Sequence, residues 1–277
     1  MTRSRCHPSW GSPYVKMKHI SSKDNRVYKS IRRLAQSSSA RRDEGRIVLD
    51  GVHLVRTYLE RFGARGVELV VRKSSARKPE IESMTKEATW VTLIDALFDQ
   101  AATVQSPVGI MALAPLPHFA VPSAEQGFQV LLDSVQDPGN VGAILRSAAA
   151  AGAKMAHLSV DCADPWSPKC LRGGMGAQFV LPVQQYLSLA DHAQTFGARL
   201  VACVATADTS LFDADLSGHI AFIIGGEGAG ISKELLAKAD QQIRVPMNDG
   251  IESLNAAASA TVCFYEWVKQ NTKVPLF

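Results

Sequence analysis

Along the second half of the chain, short apolar blocks alternate with longer stretches whose apolar positions recur every three or four residues. The blocks at residues 129–135, 156–160, 199–205, 220–225 and 242–245 predict strands, and the stretches at 141–151, 187–196, 233–239 and 254–270 predict helices. Apolar strands divided by helical segments pair in parallel, with helices covering both sheet faces. In the first half, NRVYKSIRRLAQ at 25–36 predicts an amphipathic helix, with Val27, Ile31 and Leu34 on one face and Arg26, Lys29, Arg32 and Arg33 around the other. Short β-rich runs at 47–49, 67–71, 90–94 and 108–113 follow, separated by helical patterns, so a small sheet layered with helices is expected there. Between the halves, APLPHFAVPSAEQG at 114–127 holds three prolines and no period. It reads as a linker. The expected fold class is α/β, with a small N-terminal α/β domain over 24–113 and a C-terminal parallel-sheet domain over 128–277.

Charge sharpens this division. Up to residue 110 there are 20 Lys+Arg against 11 Asp+Glu, or +9; from 111 onward there are 10 against 15, or −5. A basic half joined to an acidic half suggests that the first part meets a polyanion, with solvated helix faces as the plain alternative. The first twenty-three residues carry five Lys or Arg and no acid. They are expected to form a disordered basic extension, with Met17 as an alternative start and an organellar transit peptide as the alternative reading. No apolar run reaches the roughly 18 residues of a membrane span, so a cytoplasmic protein is expected. The five cysteines are dispersed without a CxxC pair, which argues against a disulfide framework and a zinc site of standard spacing. No metal is expected.

Three strand-end loops have unusual polar content, and in open parallel sheets ligands bind beyond such ends. The first is LLDSVQDPGNVGAILRSAAAAG at 131–152. Asp137-Pro138-Gly139 makes a turn, Asn140 is a candidate helix cap, and Gly152 suits a left-handed helix end. Arg146 is the sole charge on an otherwise apolar helix, expected to be mostly buried, where an arginine needs an ion partner or a chemical role. The second is IAFIIGGEGAGIS at 220–232, four glycines around Glu227. Glycines let a ligand approach the backbone, but the G-x-G-x-G spacing is not a dinucleotide fingerprint. The third is RVPMNDGIESLNAA at 244–257, where Ser253 and Asn255 fall at a helix start beside free backbone donors. Ser253 as a plain helix cap accounts for one of them; Asn255 is harder to explain structurally.

Taken in this order, DPGNVGAILRSA, IIGGEGAGIS and RVPMNDGIESLNAAASA resemble the three successive motifs of SpoU-type RNA 2′-O-ribose methyltransferases, within the knotted methyltransferase class. SPKCLRGGMGAQFVLPV at 167–183 resembles a further segment of that family, and residues before 114 resemble its substrate-binding domain more loosely. The resemblance implies a deep trefoil knot, a homodimer, and S-adenosyl-L-methionine as cofactor. By the same likeness, Gly225, Gly226, Val245, Met247 and Leu254 are expected to hold the cofactor, with Thr206 a weaker candidate. Asn140, Arg146, Glu227, Ser253 and Asn255 match the family's polar set. Arg146 would stabilise the developing alkoxide of a ribose hydroxyl or take part in its deprotonation, and charge stabilisation is physically safer because a guanidinium stays protonated. Asn140, Glu227 and Asn255 would hold an in-line pose, and Ser253 would support the loop. Gly226 departs from the asparagine many members carry, and Gly173-Gly174 from a more usual Ala-Ser.

For RNA contact the basic residues Arg26, Lys29, Arg32, Arg33, Arg41 and Arg42 are the candidates. Ribosomal RNA is the first expected substrate and transfer RNA the second. Two readings from other classes stay open: an RNA-binding protein with a decayed transferase site, against which the intact polar set argues, and a nucleotide-dependent oxidoreductase, which the glycine spacing disfavours.

Overall fold

The computed structural model describes residues 18–119 and 127–271. Its first sheet is built from β1 (Lys18–Ile20), α1 (Arg26–Gln36), α2 (Ser38–Glu44), β2 (Arg46–Asp50), α3 (Val52–Phe62), β3 (Glu68–Arg72), α4 (Pro79–Thr85), β4 (Thr89–Leu93), α5 (Asp95–Ala101) and β5 (Ile110–Pro115). The strand order is β1-β4-β3-β5-β2, with β5 antiparallel to both of its neighbours. Two apolar layers sandwich it. Ile47, Leu49, Leu69 and Val71 face one, and Val48, Val70 and Leu113 the other, as the two-residue period of a strand requires.

The second sheet comprises β6 (Phe128–Asp133), α6 (Pro138–Ala150), β7 (Met155–Ser159), α7 (Pro168–Gly174), β8 (Val183–Tyr186), α8 (Leu189–Ala193), β9 (Arg199–Cys203), β10 (Ile220–Gly225), α9 (Lys233–Leu236), β11 (Gln241–Ile243) and α10 (Ala256–Asn271). Its order is β11-β9-β10-β6-β7-β8 and every pairing is parallel. The chain leaves β6 toward β7 on one side and fills the other side later. The crevice between the carboxyl ends of β6 and β10 is therefore a topological switch point, where such sheets bind ligands.

Several sequence expectations are corrected. Lys18–Ile20, assigned to a disordered extension, pairs with β4 as an edge strand; residues 1–17 of that extension lie outside the described residues. β5 runs on through Ala114 and Pro115, so the expected linker starts later, and its residues 120–126 also lie outside. β8 was not anticipated because VQQY is a partly exposed edge strand with no apolar run. α7 was masked by its glycines, yet Ser167 caps it and Pro168 opens it.

The two sheets meet along α7 and the turn after it. Leu171 and Phe179 lie fully buried among residues of the first sheet's core, with Tyr58 edge-on to Phe179 at 5.5 Å. Beside them Arg41 is buried and ion-paired with Asp164: Nε and Nη2 donate to Oδ2 at 2.8 and 2.5 Å. Arg41 is therefore a strut between the sheets and is withdrawn from the residues expected to touch RNA.

Candidate active site

The first polar loop follows β6. Asp137, and not Asn140, caps α6: its Oδ1 accepts from Asn140 N at 3.0 Å, and Pro138 takes the first helical position. Lys169 Nζ binds Asp137 Oδ2 at 3.0 Å, and with the Asn140 amide it holds that carboxyl below the usual carboxylate range. α6 can lie flat on α7 because residue 142 is glycine; a Cβ there would stand 2.5 Å from Cys170 O.

The second loop turns back on itself at once. Gly230 N donates to Gly226 O at 3.0 Å, and Gly226 N donates to Asp133 O at 2.9 Å. Asp133, buried at the end of β6, accepts from Ser232 N at 2.8 Å through Oδ2. The loop is thereby pinned against β6, and a Cβ on Gly226 would fall 2.2 Å from Ser134 O. Glu227 is left exposed at the turn.

In the third loop, Asn255 rather than Ser253 caps the last helix. Asn255 Oδ1 accepts from the amides of Ala257 (2.9 Å) and Ala258 (3.3 Å). Its Nδ2 donates to Asn140 Oδ1 at 3.0 Å and to Glu227 Oε1 at 2.9 Å, while Asn140 Nδ2 donates to the same Glu227 oxygen at 2.5 Å. The structure thus brings Asn140, Glu227 and Asn255, one from each loop, into a closed hydrogen-bonded triangle. Its charge sits on one carboxylate, whose second oxygen makes no hydrogen bond among the described residues.

Beside the triangle lies a cavity of about 460 Å³, within the range of small-molecule pockets. Gly225, Gly226, Val245, Met247 and Leu254 line it, together with Glu227 and Ser253. Thr206 does not. At the end of β9 the wall is Cys203–Ala205, which sequence reasoning overlooked because these residues extend an ordinary apolar strand. Apolar walls from Ile224, Leu236 and Val245 beside a glycine-rich backbone suit a cofactor with one flat apolar part and a polar chain. Among the described residues no group of three or more His, Cys, Asp or Glu side chains could hold a metal ion.

Arg146 departs from expectation. It is exposed, and among the described residues it has no hydrogen-bond or ion partner. Helix geometry places it about 9 Å along the axis and about 120° around from Asn140, so it is not a member of the hydrogen-bonded triangle. On α10, Phe264 and Trp267 are covered by the chain's own core, leaving Tyr265 45% exposed and Val262 partly so.

A family model described as SpoU rRNA Methylase matches residues 127–265, which span all three loops. The chain belongs to the SpoU rRNA methylase family. Its relatives include an uncharacterized tRNA/rRNA methyltransferase of Synechocystis, 32% identical over 91% of this chain and 93% of its own length. The 23S rRNA (guanosine(2553)-2′-O)-methyltransferase RlmP of Bacillus subtilis is 29% identical over 90% of this chain and 98% of its own. Among solved structures, the SpoU methyltransferase AviRb of Streptomyces viridochromogenes in complex with AdoMet superposes with a TM-score of 0.80. It is 25% identical, over 89% of this chain and 98% of that one. That superposition covers most of both sheets of this SpoU protein. Among the described residues no helix is long and apolar enough to cross a membrane.

Proposed function

We propose that this chain transfers the methyl group of S-adenosyl-L-methionine to a ribose 2′-oxygen of ribosomal RNA. One observation carries the reading: a glycine-walled cavity and the Asn140–Glu227–Asn255 triangle share one strand-end crevice. It sits in a chain whose relatives RlmP and RlmB are named 23S rRNA 2′-O-methyltransferases. When bound, the cofactor supplies an electrophilic sulfonium methyl. Gly225, Gly226, Val245, Met247 and Leu254 would hold it, and Ser253 would steady the loop between the last two of them and the triangle.

The triangle's work is orientation. Three side chains that fix one another lose little freedom when they grip a ribose, and an aligned hydroxyl needs less further reorganisation to react. Arg146, exposed and unpaired among the described residues, is available to stabilise charge developing on the attacking oxygen. A guanidinium that stays protonated near pH 7 suits that role better than a base role.

Residues 18–115 would form the RNA-binding domain and the residues from Phe128 onward the methyltransferase domain. The trefoil knot rests on the family likeness of residues 127–265. A homodimer is supported by the exposed Tyr265 and part-exposed Val262 of the last helix. The expected site of action is the cytoplasm. Transfer RNA is the second substrate reading, favoured by the name of the Synechocystis relative.

Mapping 2′-O-methyl groups in RNA from cells lacking this protein tests the proposal. Loss of a single ribosomal methyl group, restored by the wild-type chain, is expected. Loss confined to transfer RNA would move the substrate, and unchanged methylation in both would overturn the reading.

A further inference from the structure

Most of the basic residues expected to meet RNA on α1 and α2 are already engaged. Lys29 pairs with Asp24 at 2.9 Å, Arg33 pairs with Glu44, Arg32 donates to Gln100 O at 3.1 Å, and Arg41 is buried against Asp164. A carboxylate beside a cation cancels much of the field that a phosphate would otherwise meet. Arg26 and Arg42 have no partner among the described residues, and Arg32 meets a neutral carbonyl and no carboxylate.

A second basic set occupies the other end of the same sheet, on the loops beyond the carboxyl ends of β2 and β3. Lys73, Arg77 and Lys78 are exposed on the turn after β3; Arg77 has no partner among the described residues, Lys73 has only the neighbouring Asp95 carboxylate, which also accepts from the Ser74 amide, and Lys78 Nζ donates only to Val108 O at 3.2 Å. Val108 Cγ2 stands 3.8 Å from where a Cβ on Gly51 would be, and Gly51 opens α3, on which His53 and Arg56 are exposed. His53 Nε2 lies 3.2 Å from Met175 O at the end of α7. One turn back along α7, Arg172 Nη1 donates to Thr103 Oγ1 at 3.1 Å, and at its start Lys169 reaches Asp137, three residues before Asn140.

Contact by contact, these residues form a basic band from loop 73–78 across the seam to the polar triangle. The acids within it are already used: Asp50 is buried and accepts from Thr103, Asp137 holds Lys169, and Asp95 and Asp99, beside loop 73–78, are taken up by Arg72 and, for Asp95, the Ser74 amide. Glu80 and Glu82 sit beyond its far end on the first turn of α4. Val108 and Met175, 45% and 42% exposed, place apolar surface along the band, which a duplex backbone does not need and unstacked bases do.

We infer that RNA approaches along this band and not over the α1–α2 face. Lys73, Arg77 and Lys78 hold backbone phosphates, and a single-stranded segment crosses α7 to deliver the target ribose to the triangle. The inference rests on reading the chain as an RNA methyltransferase, and adds where its substrate lies.

Two charge-neutral triple variants of the full chain test it: Lys73→Gln/Arg77→Gln/Lys78→Gln in the band and Arg26→Gln/Arg33→Gln/Arg42→Gln on the helical face. All six side chains are exposed, and S-adenosylhomocysteine affinity, measured by calorimetry, should match wild type in both. Affinity for a 23S rRNA transcript is then followed against salt. The band variant should bind at least about tenfold more weakly at 0.1 M salt, with the slope of log K against log[salt] reduced by about 2, as loss of three single-strand phosphate contacts requires. The helical-face variant should stay within about twofold. Loss in the helical-face variant alone, or in neither, overturns the band. Failure of the wild-type chain to methylate any RNA would instead overturn the underlying reading, so the two failures are distinct.

Discussion

Arg41 and Asp164 form an ion pair across the seam between the two sheets, with side chains only 4% and 13% exposed. Arg41 Nη1 also donates to Leu34 O at 2.5 Å, so both ends of its guanidinium are engaged. Two charges removed from water are tolerated while they satisfy each other, and removal of one strands the other. Arg41→Met or Asp164→Asn should each lower the unfolding free energy by about 3 kcal/mol. Arg41→Met/Asp164→Leu should recover much of that loss. Urea unfolding of the three variants checks this, and strictly additive losses would show that the two side chains do not act as a pair.

Gly226 and Gly228 lie two residues apart in the second loop and should respond oppositely to alanine. A Cβ on Gly226 meets backbone, Ser134 O at 2.2 Å, whereas one on Gly228 meets nothing within 4 Å. Gly226→Ala must push the loop off β6 and reshape the cavity wall. Affinity for S-adenosylhomocysteine should fall at least about tenfold, a change of about 1.4 kcal/mol, while Gly228→Ala binds normally. Gly226→Asn adds the same Cβ and should also weaken binding. Calorimetric titration of the three variants decides it.

Which parts of this were legible beforehand depended on how local the signal was. After residue 128, all the strands and helices but α7 and β8 followed from apolar periodicity, because parallel strands buried on both faces announce themselves as continuous runs, which the glycine-rich α7 and the half-exposed edge strand β8 do not. The triangle's members were named from their loops, but its closure was not, since it joins residues 87 and 115 positions from Asn140. Arg41 and Arg33 look alike in a basic helical stretch. Only the tertiary fold buries the first and leaves the second at the surface. Arg146 was misjudged for the converse reason: its helix is apolar in composition, yet one stripe of it, through Arg146 and Ala150, faces solvent.

His157 gives the protein a pH-dependent stability. It stacks on Phe196 at 3.8 Å, and its Nε2 lies 2.6 Å from Gln129 Oε1, an oxygen that can only accept. The ring is therefore the neutral Nε2–H tautomer, with Nδ1 facing the Tyr186 hydroxyl at 3.1 Å. Burial pushes its pKa from 6.5 down to about 4. A depressed histidine favours the folded state above the unfolded pKa, because below it the unfolded chain takes up the proton more readily. Stability should fall from pH 6.5 to about pH 4, by at most about 3 kcal/mol from this group, and not further from it below that. Urea midpoints at pH 7 and pH 5 measure the slope, which His157→Phe should flatten. An unchanged slope in that variant would assign the dependence to other groups.

Arg146 is the residue on which the chemical proposal turns. A neutral ribose hydroxyl gains little from a nearby cation, but the oxygen that attacks a methyl group carries developing negative charge. A guanidinium should therefore act on the transition state more than on bound substrate. Arg146 makes no hydrogen bond or ion pair among the described residues, so its removal strands no partner and should leave the fold intact. Arg146→Ala should lower the single-turnover rate of methyl transfer by roughly 10²–10⁴-fold with S-adenosylhomocysteine affinity nearly unchanged. Arg146→Lys should rescue poorly, since an ammonium lacks the planar fork that fixes charge and direction together. Saturating RNA in the rate measurement separates lost chemistry from lost binding. A variant whose full rate returns at high RNA concentration would make Arg146 a substrate-binding residue. Near-normal turnover at all concentrations would shift the catalytic assignment to Glu227, the one charge in the triangle.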